Sequence, residues 1–198
     1  QAVAISRDVT SEASVGEAFS KAEDSFGPVD TVIANAGVSR YGRSTDLAEA
    51  DLRQVFDTNL LGVHLTANAG ARAMMAAGSR ENGAGRIVII GSITAQLTGQ
   101  GDAAYAASKA GVAHLGRQLA REWVRQGINV NVVQPGYIRT ELVGDWFDSE
   151  GGKAQIAGWH RRRIMEIDAL DDMVLYLSSD RSSHVTGACF TVDDGQSL

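Results

Sequence analysis

One cysteine and two prolines stand among 198 residues. A lone Cys189 cannot close an intramolecular disulfide, and no cysteine and histidine share a metal-site spacing. Cys189 reads as a small core residue. The prolines, Pro28 and Pro135, each adjoin a glycine in a short turn, and neither marks a domain boundary. No window holds 18 consecutive apolar residues, so no membrane-spanning helix is expected. Basic residues are the minority, 18 against 24 acidic, for a net charge of −6. That balance speaks against nucleic acid or an anionic membrane as the main partner. Repeats, low-complexity tracts and targeting segments are not visible, and a reducing, cytoplasmic setting is the expectation. There is no initiator methionine either: the chain opens QAVAISRDVT.

What is present is ordinary for a globular domain, 44% apolar and 21% charged, and long enough for one core. Strand-like and helix-like segments alternate. Residues 2–5 read as a short strand. Residues 11–26 place Val15, Ala18, Phe19, Ala22 and Phe26 at helical spacing behind a Thr10 or Ser11 cap. Strands follow at 29–34, 86–90, 128–134 and 188–192. Helices are expected at 48–77, 102–126 and 168–178, with one or two short helices in 141–163. The strands are rich in Val and Ile on both faces, as in a parallel sheet covered by helices on both sides. The fold class is α/β, a doubly wound parallel sheet of the Rossmann-like kind, over a single domain spanning 1–198.

In such sheets ligands bind at the strand C-termini, and the loops there hold unusual residues. Strand 86–90 runs into Gly91-Ser92. The next helix contains Tyr105 and Lys109 four residues apart, one above the other. A free tyrosine titrates near pH 10, and an adjacent ammonium favours the phenolate, so the pair reads as an acid/base device. Ser92 sits where its hydroxyl can polarise a carbonyl. Further motifs are Asn35-Ala36-Gly37 after strand 29–34, Asn59 in the long helix, and PGYIRT from Pro135 to Thr140.

With these motifs in this order the chain resembles the short-chain dehydrogenase/reductase family, and its nearest subgroup looks ketoacyl-reductase-like or alcohol-dehydrogenase-like. The resemblance covers nearly the whole chain, from DVT at 8–10 to TG at 186–187. It implies an oxidoreductase using NAD or NADP on a small-molecule alcohol or ketone. Tyr105 is then the general acid and base, Lys109 lowers its pKa and holds the nicotinamide ribose, and Ser92 orients the reacting oxygen. Asn59 bends its helix and holds a proton-relay water. Asp8, with the Val9 backbone beside it, would meet adenine; Asn35, Ala36 and Gly37 would line the adenosine ribose. Pro135, Gly136, Ile138 and Thr140 would hold the nicotinamide end. No metal is implied. In the family the helices matching 48–77 and 102–126, rich here in small residues, pack between subunits, so the resemblance implies a homodimer or homotetramer.

Some readings stay open. Asp8 can equally cap the helix at 11–26. The stretch 141–163 sits where the family places its substrate lid. Trp146 and Trp159 there form either a wall over an apolar substrate or packing for a loop, and Ile93, Gln96 and Tyr137 are further pocket candidates. A dehalogenase-like or lyase-like enzyme is disfavoured by Lys109, and a non-catalytic scaffold or inactive fragment by the complete Ser92–Tyr105–Lys109 set. Two departures from the family stand out. Its glycine-rich TGxxxGxG turn, which cradles a pyrophosphate on backbone amides, is not in the sequence; a βαβ unit of about 50 residues ahead of Gln1 is the expectation. Asp194 stands where the family's final VDGG has glycine.

Overall fold

Short apolar runs separated by capped helices build the sheet. The computed structural model describes residues 1–140 and 145–198; the first four residues of the expected lid, 141–144, lie outside the described residues. Helix α1 (Glu12–Phe26) starts where the Ser14 amide donates to Ser11 Oγ at 3.3 Å, and ends at Gly27, whose φ of +84° suits glycine. Then follow β1 (Thr31–Ala34), α2 (Glu49–Phe56), α3 (Gly62–Ala76), a single turn α4 (Ser79–Asn82) and β2 (Gly85–Ile90). The chain continues through α5 (Ala103–Trp123), β3 (Ile128–Pro135), α6 (Glu150–Gly158), α7 (Asp171–Leu177) and β4 (Cys189–Val192).

The strands pair in the order β1-β2-β3-β4, all parallel. Ala34, Ile89, Val132 and Cys189 align across the sheet. Alternation along each strand splits the core in two. Ile87, Ile89, Val130 and Val132 pack with Val63, Ala67 and Met74 of α3 and Val112 and Leu119 of α5. Val88 and Val133 pack with Leu177 of α7 in a smaller cluster. This is the doubly wound α/β arrangement expected.

Two expectations need correction. Residues 2–5 form no strand; they are mostly exposed and enter no ladder, because a strand exists only through a hydrogen-bonded neighbour and none lies beside them. The helix expected over 48–77 is broken by a π turn, Asp57–Leu61, between α2 and α3. The cause sits at its centre. Asn59, fully buried, accepts from the Val38 amide at 2.8 Å and donates to the Val38 carbonyl at 2.9 Å. A side chain committed to a loop outside the helix fits a local widening of the turn.

Helix α5 lies close on β3. A Cβ at Gly116 would overlap Val132 Cγ2, a stiff β-branched side chain only 1% exposed. Gly116→Val is therefore expected to cost about 2–3 kcal/mol through overpacking. In thermal unfolding this appears as a fall of roughly 4–12 °C for a chain of this size; an unchanged midpoint would show that α5 can shift freely.

Candidate active site

Because the strands are parallel, the loops after β1, β2, β3 and β4 gather along one edge. A cavity of about 340 Å³ opens there, lined by residues of the first three loops and of α5. The structure brings together Asn35, Gly37, Ser92, Ile93, Tyr105, Lys109, Pro135, Gly136, Tyr137, Ile138 and Thr140.

Lys109 is the most constrained of these. It is 4% exposed, and its Nζ donates to the Ile90 carbonyl, the last of β2, at 2.8 Å. That is its one hydrogen bond among the described residues, leaving two ammonium protons for a ligand. The Nζ lies 5.6 Å from the centroid of the Tyr105 ring. A Cβ on Gly37 would come within 3.6 Å of Nζ and 3.5 Å of Asn59 Oδ1, so the loop after β1 passes directly over both groups.

Asn59 fastens this corner. Besides its two bonds to Val38 it donates to Ser108 Oγ at 3.1 Å, and Ser108 Oγ donates to the Tyr105 carbonyl at 2.7 Å. The loop after β1, the π turn and the Tyr105 turn of α5 are thus one buried network. Ser92 caps the short 3₁₀ turn Ile93–Ala95 and accepts from the Thr94 amide at 3.2 Å and the Thr94 hydroxyl at 2.9 Å. With two bonds accepted, the Ser92 hydroxyl keeps its proton to donate.

The electrostatics differ from the expectation. Burial pushes the Tyr105 phenol up to about 12, with the Ser92 hydrogen bond pulling the other way. Burial also depresses the Lys109 ammonium to about 8. Burial, not the neighbouring group, sets the direction of each shift: each group is dominated by its own loss of solvent, which favours the neutral form of both.

Other candidates lie elsewhere. Asp8 is exposed; it accepts from the Thr10 amide and hydroxyl at 2.9 and 2.7 Å, which holds its carboxyl below the usual range, and Ser11 rather than Asp8 caps α1. The Val9 side chain packs on Gly62 of α3. Gln96 donates to Gln134 behind the cavity wall at 3.0 Å. Trp146 is 51% exposed and donates to Gln155, away from the cavity. Trp159 stacks on Tyr137, with ring centroids 5.5 Å apart, and so backs the wall rather than lining it. Sequence reasoning missed Ser39, Tyr41, Thr94 and Leu170, which also line the cavity. Thr94 had a local signal, the Ser-x-Thr spacing after a strand; Ser39 and Tyr41 sit in an irregular loop without one.

Comparison with known proteins places this geometry. A family model described as enoyl-(acyl carrier protein) reductase matches residues 1–197. The 3-oxoacyl-(acyl-carrier-protein) reductase FabG of Escherichia coli is 34% identical over 190 residues, 95% of this chain and 75% of that protein. A short-chain type dehydrogenase/reductase from Mycobacterium marinum superposes with a TM-score of 0.91 at 32% identity, covering 100% of this chain and 76% of that one. A gluconate 5-dehydrogenase from Burkholderia cenocepacia, solved in complex with NADP and tartrate, gives 0.89 at 31% identity over 96% of this chain and 73% of that one.

The depressed Lys109 makes a stability prediction. Its charged form is disfavoured by folding, so the cost is fully present below pH 8 and is relieved as pH rises from about 8 towards 10.5. Lys109→Met keeps the volume and removes the charge. It should stabilise the protein by about 2 kcal/mol at pH 7, after loss of the bond to Ile90. Urea unfolding should show the gap to the parent narrowing between pH 8 and 10; a destabilised variant would mean that the burial is compensated.

Proposed function

The chain belongs to the short-chain dehydrogenase/reductase family, and from that premise we propose that it interconverts a secondary alcohol and a ketone, with NAD or NADP as hydride carrier. The observation that carries this reading is one cavity uniting a buried, half-bonded ammonium, a phenol and a hydroxyl that is obliged to donate. The residues in hand suit the nicotinamide end of the carrier. Lys109 has two free protons for a pair of ribose hydroxyls, and the backbone from Pro135 to Thr140 borders the same cavity. When bound, the nicotinamide supplies or accepts the hydride.

The chain's own groups then handle charge and protons. In reduction, negative charge develops on the carbonyl oxygen as hydride arrives. The Ser92 hydroxyl, with both lone pairs engaged by Thr94, donates to that oxygen and orients it. Tyr105 keeps its proton at neutral pH, because its pKa lies near 12, and can deliver it to the same oxygen. Lys109 stands beneath the phenol and stabilises the phenolate left behind. In oxidation the steps reverse, with the phenolate taking the alcohol proton. The gathered glycines serve the same end: Gly37 keeps the Asn59–Lys109 corner open, and a Cβ at Gly136 would strike Gln196 Oε1 at 2.5 Å. Assembly as a homodimer or homotetramer fits the half-exposed Phe56 and Leu61 on the helix pair that flanks α5.

The test is an assay with NAD(H) and NADP(H) against a panel of secondary alcohols and ketones. Tyr105→Phe is expected to lower kcat by about 10²–10⁴ while nucleotide affinity, read by fluorescence titration, stays within about threefold. Full activity in this variant would sink the mechanism. Nucleotide binding with no turnover of any panel member would favour a scaffold.

A further inference from the structure

We propose that Asp194 is a positioning residue for the substrate pocket, holding the aromatic wall in place by pinning Arg161 and Arg163 where the lid segment leaves it. The proposal rests on reading the cavity as the substrate pocket. Asp194 Oδ1 accepts from Arg161 Nη1 at 2.7 Å and from Arg163 Nη2 at 3.2 Å, and Oδ2 accepts from Arg163 Nε at 2.6 Å. This is a bidentate pair plus a second guanidinium on one carboxylate. The Asp194 side chain is 13% exposed, so the arginines cover it.

The backbone gives a second, independent observation. Among the described residues only Arg162 and Asp194 carry a positive φ without being glycine, +50° and +54°. One sits between the two arginines and the other supplies their carboxylate. Left-handed backbone is unfavourable for such residues and persists where the surroundings enforce it. Glycine, which the resembled family has at this place, would adopt φ of +54° without strain. Asp194 accepts the strain and makes three charged hydrogen bonds.

From this cluster the contacts lead to the cavity. The Trp159 carbonyl accepts from the Arg162 amide at 3.1 Å. The Trp159 ring stacks on Tyr137, 5.5 Å between centroids at 19°, and Phe147 meets both rings at 5.5 and 5.7 Å. Tyr137 lines the cavity. The same chain end fixes its backbone: Gln196 accepts from the Tyr137 amide at 2.6 Å and donates to its carbonyl at 3.2 Å. Met165 then pairs with the strand-like segment at Ile138. The turn after β4 thereby holds the wall from two sides, by charge at 161–163 and by amide bonds at 137.

Asp194→Gly removes the carboxylate and relieves the backbone. Hydrogen exchange of amides 159–165 should accelerate at least tenfold, while exchange in β2 and β3 stays unchanged. Arg161→Gln with Arg163→Gln should produce the same loosening, and adding Asp194→Gly to that pair should bring no further change. Asp194→Asn keeps the shape and one acceptor oxygen and should fall between. With a panel substrate, Asp194→Gly should raise KM about tenfold and leave kcat within twofold. Unchanged exchange at 159–165, summed effects from the two sides, or an equal loss in kcat would each overturn the proposal. The exchange arm needs no turnover, so it decides even where the activity assay finds no substrate.

Discussion

A buried ammonium with a single hydrogen bond among the described residues is the constraint around which this sheet edge is organised. Lys109 of α5 reaches the Ile90 carbonyl, and α5 lies tight against β3 where Gly116 meets Val132. The contact couples the first turns of α5 to the end of β2, so Tyr105 and Ser92 are set by one backbone group. A cation left this short of partners is unfavourable to the fold. Lys109 also borders the cavity, which is why the corner reads as a site rather than as packing.

The two titrating groups illustrate how environment divides roles. Tyr105 and Lys109 are both pushed toward neutrality by burial, yet the consequences are opposite. The phenol is held in its neutral form near pH 7, whereas the ammonium pKa is brought down to about 8. Ser92 opposes the first effect, and its proton is left to donate because Thr94 occupies its lone pairs. The Tyr105 shift is therefore set first by solvent exclusion, with Ser92 acting against it.

Much of the fold was legible because its signals are local. Helical spacing in α1, the Val- and Ile-rich strands, and glycines at element ends all survive in the folded chain. The Tyr105–Lys109 pair was legible because a helix repeats at 3.6 residues, which puts i and i+4 on one face. Other features depended on partners distant in sequence. Residues 2–5 have strand composition, but pairing, not composition, makes a strand. The π turn at 57–61 follows from Asn59 meeting Val38, 21 positions away. The direction of the Tyr105 shift needed burial, which spacing does not reveal. Asp194 was visible as a departure from glycine, but its meaning lay in arginines more than 30 positions earlier.

That last case separates two kinds of construction within one cavity. The side that carries Ser92, Tyr105 and Lys109 is built from buried strand ends and the Asn59 network. The opposite wall is Tyr137 backed by Trp159 and Phe147, and two exposed guanidiniums on a largely covered carboxylate hold it. Surface ion pairs are individually weak, but a bidentate geometry shared by two arginines is the arrangement in which they contribute most. A wall supported in this way can be reshaped by substitutions at 161, 163 or 194 without altering Ser92, Tyr105 or Lys109. Different forces therefore hold the two halves of the cavity.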